Sequence, residues 1–404
     1  MIKVYPRKKL DISFRNILYG IICSFNYFSS RLLLKKKVQS IWSSHNTAVG
    51  LSVRTMFDAL LCVEKFQKDS EIIMSGITIP DMVKIVQAHG LNVVPVDIEM
   101  DSLEIDKSSL ENAITDKTVM IVIAHLFGSR MNMKPIYNIC KNRPDIMIIE
   151  DCAQAYCGMD DYVMGSETDV SLFSFGSIKS ITALGCAIGF FKNYEKSRSI
   201  EMILNKYRIL SNTMFFKKLI KYLFLTILTQ PHVYGIFIKM SRIFKIDYDS
   251  IIINSIRNFR NENFLKAIRN QPSNSQLQFL YYRITRTTKN HFQRRKNAGD
   301  YVKSKLQGVK MHGIKNETHT YWLFPIKTSK RDILVEELID NGFDATFTST
   351  QLIPIKSSKT EIKTPFNCKK YMNETIYLPV YETITRNQLH KLAHIVNNIT
   401  REIN

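Results

Sequence analysis

Lys179 stands 28 residues after Asp151, and both close stretches that read as buried strands. Ile146-Met-Ile-Ile-Glu150-Asp151 is an apolar run ending in two acids. A carboxylate just past such a strand can pair with a protonated pyridine nitrogen and keep a cofactor ring an effective electron sink. The same Asp could equally cap a following helix. Leu172-Phe-Ser-Phe-Gly-Ser-Ile-Lys179 carries a lysine out of the next strand among small and apolar neighbours. Partial desolvation there lowers its pKa and favours covalent attachment to a carbonyl carbon. A lone loop lysine is ordinarily solvent-exposed, so the spacing from Asp151 is what singles this one out. Ser174, Ser177 and nearby backbone amides could hold a phosphate. Ser52-Val53-Arg54-Thr55 opens a helical pattern whose free N–H groups offer another phosphate hold, although Ser and Thr begin many helices.

These residues need a scaffold that brings strand ends together. From about residue 46, short apolar runs alternate with helical patterns. Strands are expected at Ile72–Met74, Val93–Val96, Val119–Ala124, Ile146–Asp151, Val170–Phe175 and Ala187–Phe191. Helices are expected at Thr55–Phe66, Pro80–His89, Ser108–Ile114 and Met133–Lys141. Such alternation predicts an α/β domain with a mainly parallel sheet, and open sheets of that kind place ligands beyond the carboxyl ends of their strands. Residues 195–295 lack sheet-like punctuation and read as a basic, apolar helical insertion. Residues 296–404 return to a mixed pattern, with a helix at Gln293–Leu306, a strand at Tyr321–Ile326 and helices at Arg331–Asn341 and Arg386–Ile399. The expected organisation is a basic amphipathic segment (1–45), a large α/β domain (46–194), the insertion (195–295) and a smaller α+β domain (296–404).

With 45% hydrophobic and 23% charged residues among 404, the chain has the balance of a protein with a real core. Its net charge of +20 is confined to two segments. Residues 1–45 hold nine Lys/Arg against one Asp, and residues 195–295 hold 19 Lys/Arg against five acids. The rest is near neutral, which together with the lack of a recognisable nucleic-acid-binding motif argues against a nucleic-acid partner. Seven cysteines, at 23, 62, 140, 152, 157, 186 and 368, form no CxxC pair and suit a reducing cytoplasm. Cys152 and Cys157 are expected to pack as small hydrophobes, and no metal site is expected.

Taken together, Glu150-Asp-Cys-Ala-Gln-Ala-Tyr-Cys-Gly158 and Ser171-Leu-Phe-Ser-Phe-Gly-Ser-Ile-Lys179 resemble the paired signature of the DegT/StrS-type sugar aminotransferases, which are fold-type I pyridoxal-phosphate (PLP) enzymes. Val93–Asp97, Ala113–Lys117, Val119–Gly128, Tyr321–Ile326, Asn341–Phe343 and Ile376–Val380 resemble further family stretches in order. The resemblance implies a covalent PLP link and proton shuttle at Lys179, pyridine pairing at Asp151, Gln154 beside the ring and Ser174 on the phosphate. Ser52, Val53 and Arg54 fall in its first phosphate loop, and His125 falls near the cofactor or is a satisfied core histidine. It also implies a homodimer that moves an amino group, from glutamate by family habit, to a keto-sugar-like or other carbonyl acceptor in polysaccharide or glycolipid synthesis. Loss of the lysine marks the family's dehydrating branch, so Lys179 favours amino transfer over a PLP-dependent dehydratase or lyase. A non-catalytic membrane-associated scaffold is the third reading. The sequence departs from the family at Val53, where a glycine is usual, at Ile79, where a ring-stacking aromatic is usual, and at Leu184-Gly-Cys-Ala187, a reduced glycine-rich stretch. Arg269-Asn-Gln-Pro-Ser273 is the nearest counterpart of the segment that reaches across the family dimer.

Phe14, Ile17, Leu18, Ile21, Ile22, Phe25, Phe28 and Leu32 recur at helical spacing between basic clusters, and Phe215–Leu228 and Val233–Phe244 repeat the theme. These stretches fall short of the ~20 apolar residues needed to span a bilayer. They suit either peripheral docking on an anionic membrane face or packing as an extra helical layer.

Overall fold

The computed structural model describes residues 3–25, 29–42, 46–158, 165, 167–249, 251, 263–309, 311, 313, 316, 318–347, 351–358 and 365–401. Phe28, expected on the first amphipathic helix, lies outside them. Seven strands build the central sheet: β1 (Asn46–Gly50), β2 (Glu71–Ser75), β3 (Asn92–Val96), β4 (Thr118–Ala124), β5 (Met147–Asp151), β6 (Val170–Ser174) and β7 (Ala187–Phe191). They lie in the order β1-β7-β6-β5-β4-β2-β3. Neighbours from β6 to β3 pair in parallel, whereas β7 runs antiparallel to both β6 and β1. The mainly parallel α/β architecture expected from the sequence is therefore present. β1 was not expected, because Asn-Thr-Ala-Val-Gly has neither an alternating nor a continuous apolar run.

Alternate residues of the strands face opposite layers, as the two-residue period requires. Ile72, Met74, Val93, Met120, Val122, Ile149 and Leu172 pack against α3 (Val53–Glu64), α4 (Pro80–Ala88) and α7 (Tyr194–Asn205). On the other face, Ile73, Val94, Ile121, Ile123 and Ile148 meet α5 (Lys107–Ala113) and α6 (Lys134–Cys140). Phe173, Ile188 and Phe190 continue that face against α1 (Phe14–Ser24), α2 (Arg31–Gln39), α8 (Asn212–Leu228) and α11 (Asn274–Arg286). The two basic segments thus share one helical layer. Gly20 allows α1 to approach α8 closely, since a Cβ there would come within 2.7 Å of Leu219 Cδ2. Beyond α8 lie α9 (Pro231–Ile243) and α10 (Phe264–Ile268). Among the described residues, no helix is long and apolar enough to cross a membrane.

The C-terminal unit pairs β8 (Phe324–Lys327) antiparallel with β9 (Thr375–Leu378). Its core is closed by α12 (Lys289–Lys305), α13 (Arg331–Asp340) and α15 (Arg386–Arg401), while α14 (Phe366–Glu374) leads into β9. The strand expected from Tyr321 begins only at Phe324. Tyr321 has a φ of 47°, and the Thr320 and Leu323 amides donate to the Gly128 and Phe127 carbonyls of the loop after β4. That clamp turns Trp322 away from the sheet.

Asp58 ties the layers together. Fully buried on α3, it accepts from Tyr207 Oη at 2.7 Å and from both Arg269 Nε and Nη2 at 2.9 Å, and meets His89 Nε2 at 3.0 Å. These hydrogen bonds overcome the burial penalty and hold its pKa down at about 2. Its stabilising contribution is present above the ordinary carboxylate range and is lost as pH falls through 3.8 towards 2. Asp58→Ala leaves Arg269 without its partner and should cost about 3–5 kcal/mol. Thermal or denaturant unfolding at pH 7 should show that loss, and at pH 3 a smaller one.

Candidate active site

The carboxyl ends of β4, β5 and β6 and the end of β1 lie along one edge of the sheet. Ala124 pairs with Asp151, and Asp151 with Leu172. Ser174 and Gly50 both face Ala187 of β7, from either side. The register therefore gathers His125, Asp151, Ser174 and Ser52 at one rim, although they are up to 122 residues apart in sequence. Lys179 follows β6 after a turn in which its amide donates to the Gly176 carbonyl at 3.0 Å. Its Nζ sits 4.3 Å from the Trp322 ring centroid, and the Trp322 indole donates to the Ile178 carbonyl at 2.9 Å.

Burial lowers the Lys179 pKa to about 8, Asp151 pulls it back up, and Arg54 adds to the fall. Burial raises the Asp151 carboxyl, against the Ala153 amide and Lys179, which both favour its ionised form. The two groups thus face each other across the rim as a poised amine and a carboxylate that gains from a cationic partner. Gln154 is spent locally: its Oε1 accepts from the Phe127 amide at 2.9 Å. His125 is buried with both nitrogens engaged, Nδ1 accepting from the Met131 amide at 3.2 Å and Nε2 meeting Glu150 at 2.8 Å. This fixes a proton on Nε2, the arrangement of a satisfied core histidine, and leaves only its ring face for a neighbour. Cys152 lies within 4.8 Å of the His125–Glu150 pair. Glu150 is itself occupied by His125, Arg130 and Thr168.

Polar and cationic side chains gather beside this rim. Ser52 caps α3, its Oγ accepting from the Thr55 amide at 3.1 Å, which leaves the first-turn amides of Val53 and Arg54 outside the helical ladder. Val53 is buried, so the residue standing where the family has glycine turns its side chain into the core. Arg54 pairs with Asp81 and still lowers the pKa of both Lys179 and Lys218. Lys218, on α8, is pushed down to about 8, mainly by burial. Ser177 Oγ and Tyr222 Oη are buried, and neither has a well-formed hydrogen bond. First-turn amides of α3, buried hydroxyls and a second cation suit the phosphate of the expected cofactor.

Lys218 and Tyr222 lay inside a segment read as membrane-facing or merely packing. Their four-residue spacing puts both on one face of α8, and that was the signal available. The reduced glycine-rich stretch also has a structural answer. Ile181, Leu184 and Cys186 take φ values of 54°, 58° and 72°, a left-handed backbone that costs about 1–3 kcal/mol per residue for such side chains. The loop is held there by Asp11 Oδ2 on the Ile181 amide at 2.7 Å, Arg283 Nε on the Thr182 carbonyl at 3.0 Å and the Cys186 amide on the Leu51 carbonyl at 2.8 Å. Ile79, at the residue preceding α4, is half-buried among apolar neighbours. Arg269 is committed to Asp58.

Residues 42–207 match the model of the DegT/DnrJ/EryC1/StrS aminotransferase family. A GDP-perosamine synthase of Escherichia coli O157:H7 is 31% identical over 157 residues, which is 38% of this chain and 41% of that protein. The match thus spans about two fifths of that relative's length. Solved structures share the fold over nearly the whole chain. E. coli GDP-4-keto-6-deoxy-D-mannose-3-dehydratase with bound hydrated PLP aligns at a TM-score of 0.70 and 16% identity, covering 98% of this chain and all of that one. Helicobacter pylori PseC, an aminotransferase of pseudoaminic acid biosynthesis, aligns at 0.69 and 14%, covering 99% and 100%. Aminotransferase TlmJ of Streptoalloteichus hindustanus aligns at 0.64 and 13%, covering 98% and 93%.

Lys218→Met should raise the thermal midpoint at neutral pH, because it removes a buried ammonium that costs stability below pH 8. The gain should fade as pH rises from about 8 past 10.5, where the unfolded lysine has also lost its proton. The same variant should bind inorganic phosphate more weakly, read by calorimetry. Residues 42–207, with Asp151 and Lys179 among them, are thus similar to the DegT/DnrJ/EryC1/StrS aminotransferase family.

Proposed function

We propose that the protein is a PLP-dependent aminotransferase acting on a keto-sugar-like carbonyl acceptor with an amino-acid donor. The observation that carries this reading is the buried Lys179 amine facing Asp151 at the carboxyl rim of the sheet. The family-model match over residues 42–207 and the PLP-bound structure of similar fold support it. PLP, when bound, supplies an aldehyde for covalent attachment and a ring that takes up an electron pair. Asp151 holds the ring nitrogen protonated. Ser174, Ser177, Arg54, Lys218 and the first-turn amides of α3 hold the phosphate, Ser52 fixes that turn, and Gln154 and His125 border the ring. Lys179 Nζ, neutral in a large fraction near pH 8, accepts a proton from the donor α-carbon and returns it to the product. The retained lysine favours amino transfer over the dehydration named for one structural neighbour.

Borohydride reduction of the PLP-treated protein should fix the cofactor to Lys179, seen as a mass increase on the peptide that contains it. Lys179→Ala should abolish the adduct. In wild type, the rate of covalent capture should rise about tenfold per pH unit below pH 8 and level off above it, following the neutral amine. Failure of the unmodified protein to take up PLP overturns the reading.

A second reading concerns location. α1 exposes Phe14, Leu18 and Ile22, α8 exposes Met214, Phe224 and Ile227, and α9 exposes Ile236, Met240 and Ile243. Arg15, Lys217, Lys221 and Lys239 stand exposed among them. Apolar residues interleaved with cations suit an anionic bilayer surface, and this face is proposed to rest on one. The chain should float with phosphatidylglycerol vesicles, less so with phosphatidylcholine vesicles or after Phe224→Ser with Ile227→Ser. Negligible binding to both vesicle types, or burial of this face in a homodimer by cross-linking, would overturn it.

A further inference from the structure

The mechanism leaves one buried cation of the cleft unused. Lys8 comes from an N-terminal arm fastened on both sides. Arg7 Nε and Nη2 donate to Asp344 at 2.8 Å, and Lys9 Nζ meets Glu382 at 2.8 Å. Asp11 accepts from the Ile181 amide at 2.7 Å and meets His291 at 2.9 Å. Between these anchors Lys8 enters the cleft that Lys179, Ser180, Arg295 and Trp322 line. Its Nζ is buried, has no hydrogen-bond partner among the described residues, and sits 3.4 Å from the Trp322 ring centroid.

The neighbouring charges do not neutralise it. Lys179 and Arg295 repel it, and the one nearby acid, Asp11, is committed to His291, Arg283 and Arg295. Burial and these cations push its pKa well below the usual lysine value. A cation held in place by a clamped arm, over an aromatic face and without an anion, is a seat for an anion that arrives with the substrate. An arriving anion favours the protonated form of the lysine.

Geometry narrows the anion. Lys8 and Lys179 sit over one indole ring, at 3.4 and 4.3 Å from its centroid, so their nitrogens can be no farther apart than the sum of those distances. A donor amino acid reacting at Lys179 carries a carboxylate within that reach. One lysine suits a monoanionic carboxylate better than a diphosphate, which calls for several donors or a helix terminus. We propose that Lys8 binds a carboxylate of the amino-acid donor and so sets donor specificity, an inference that rests on the aminotransferase reading.

The test uses the cofactor-free full chain. Of its two tryptophans, Trp42 lies in the core and Trp322 in the cleft, so fluorescence titration with glutamate, glutamine and glutamate diester reports on the site. Glutamate should quench Trp322, the diester should not, and Lys8→Met should weaken glutamate binding about 10- to 100-fold, the worth of one charge-assisted hydrogen bond. Lys8→Arg should retain most of it, and borohydride trapping of PLP at Lys179 should be unchanged in both variants. Equal weakening for glutamate and glutamine assigns the α-carboxylate, and weakening for glutamate alone assigns the side-chain carboxylate. Calorimetry of the unmodified protein in two buffers should show proton uptake on binding, which keeps the inference testable if Lys8→Met fails to fold. Equal glutamate affinity in wild type and Lys8→Met, equal quenching by the diester, or binding without proton uptake overturns it. Loss of PLP trapping in the unmodified chain would instead remove the aminotransferase reading.

Discussion

An ammonium taken out of water without an anion is among the most expensive things a fold can contain, at several kcal/mol after relaxation. This protein holds two such groups, Lys8 and Lys218, and a third lysine, Lys179, that faces Asp151, each lowered chiefly by burial. Elsewhere the chain matches its buried charges with care. Arg7 has Asp344, Asp58 has Arg269 and Tyr207, and Glu150 has His125, Arg130 and Thr168. Lys8 and Lys218 depart from that practice, whereas Lys179 has Asp151 as its facing acid. Anions arriving beside these ammonium groups would offset the cost of their burial.

Holding such a cleft open requires rigid supports that do not neutralise it. The sheet rim supplies Asp151 and the start of the Lys179 turn by register alone. The loop after Lys179 keeps a left-handed path through Ile181, Leu184 and Cys186 because Asp11, Arg283 and the Leu51 carbonyl hold its backbone. α8 brings Lys218 near Arg54 of the first turn of α3 while its Phe215–Leu219 stripe sinks into the core. Trp322 is steered inward by the clamp between residues 320–323 and the loop after β4. Each support spends its polar groups on backbone atoms or on acids outside the cleft, so the cations inside it stay available.

The α/β core was legible because its signals are local. Buried parallel strands such as Thr118–Ala124 are continuous apolar runs between turn residues, and the Asp151–Lys179 spacing survives in any register. β1 was not legible: its five residues become a strand only through pairing with β7, a tertiary cause. The Tyr321–Ile326 run looked like strand because aromatic and branched residues favour it, but hydrogen bonds to Phe127 and Gly128 redirected its first half. Lys8 and Lys218 were hidden for another reason. A basic cluster beside apolar residues reads as a surface, and only the packing of an N-terminal arm and of α8 onto distant loops turns two of those lysines inward. His125 shows the reverse, since the core histidine alternative was visible and the structure supplies both of its partners.

The pairing of Lys8 with Trp322 has a consequence for the life of the chain on the ribosome. Lys8 is synthesised before its seat, 314 residues ahead of Trp322. At about 5–20 residues per second, roughly 15–60 s separate the two. Through that interval the N-terminal lysines, the Lys179 turn and the apolar flank of α8 all exist without the groups that finally enclose them. The nascent protein must therefore leave the Lys8 side chain unseated until Trp322 emerges, even where Asp11 of the same arm can already reach the Ile181 amide.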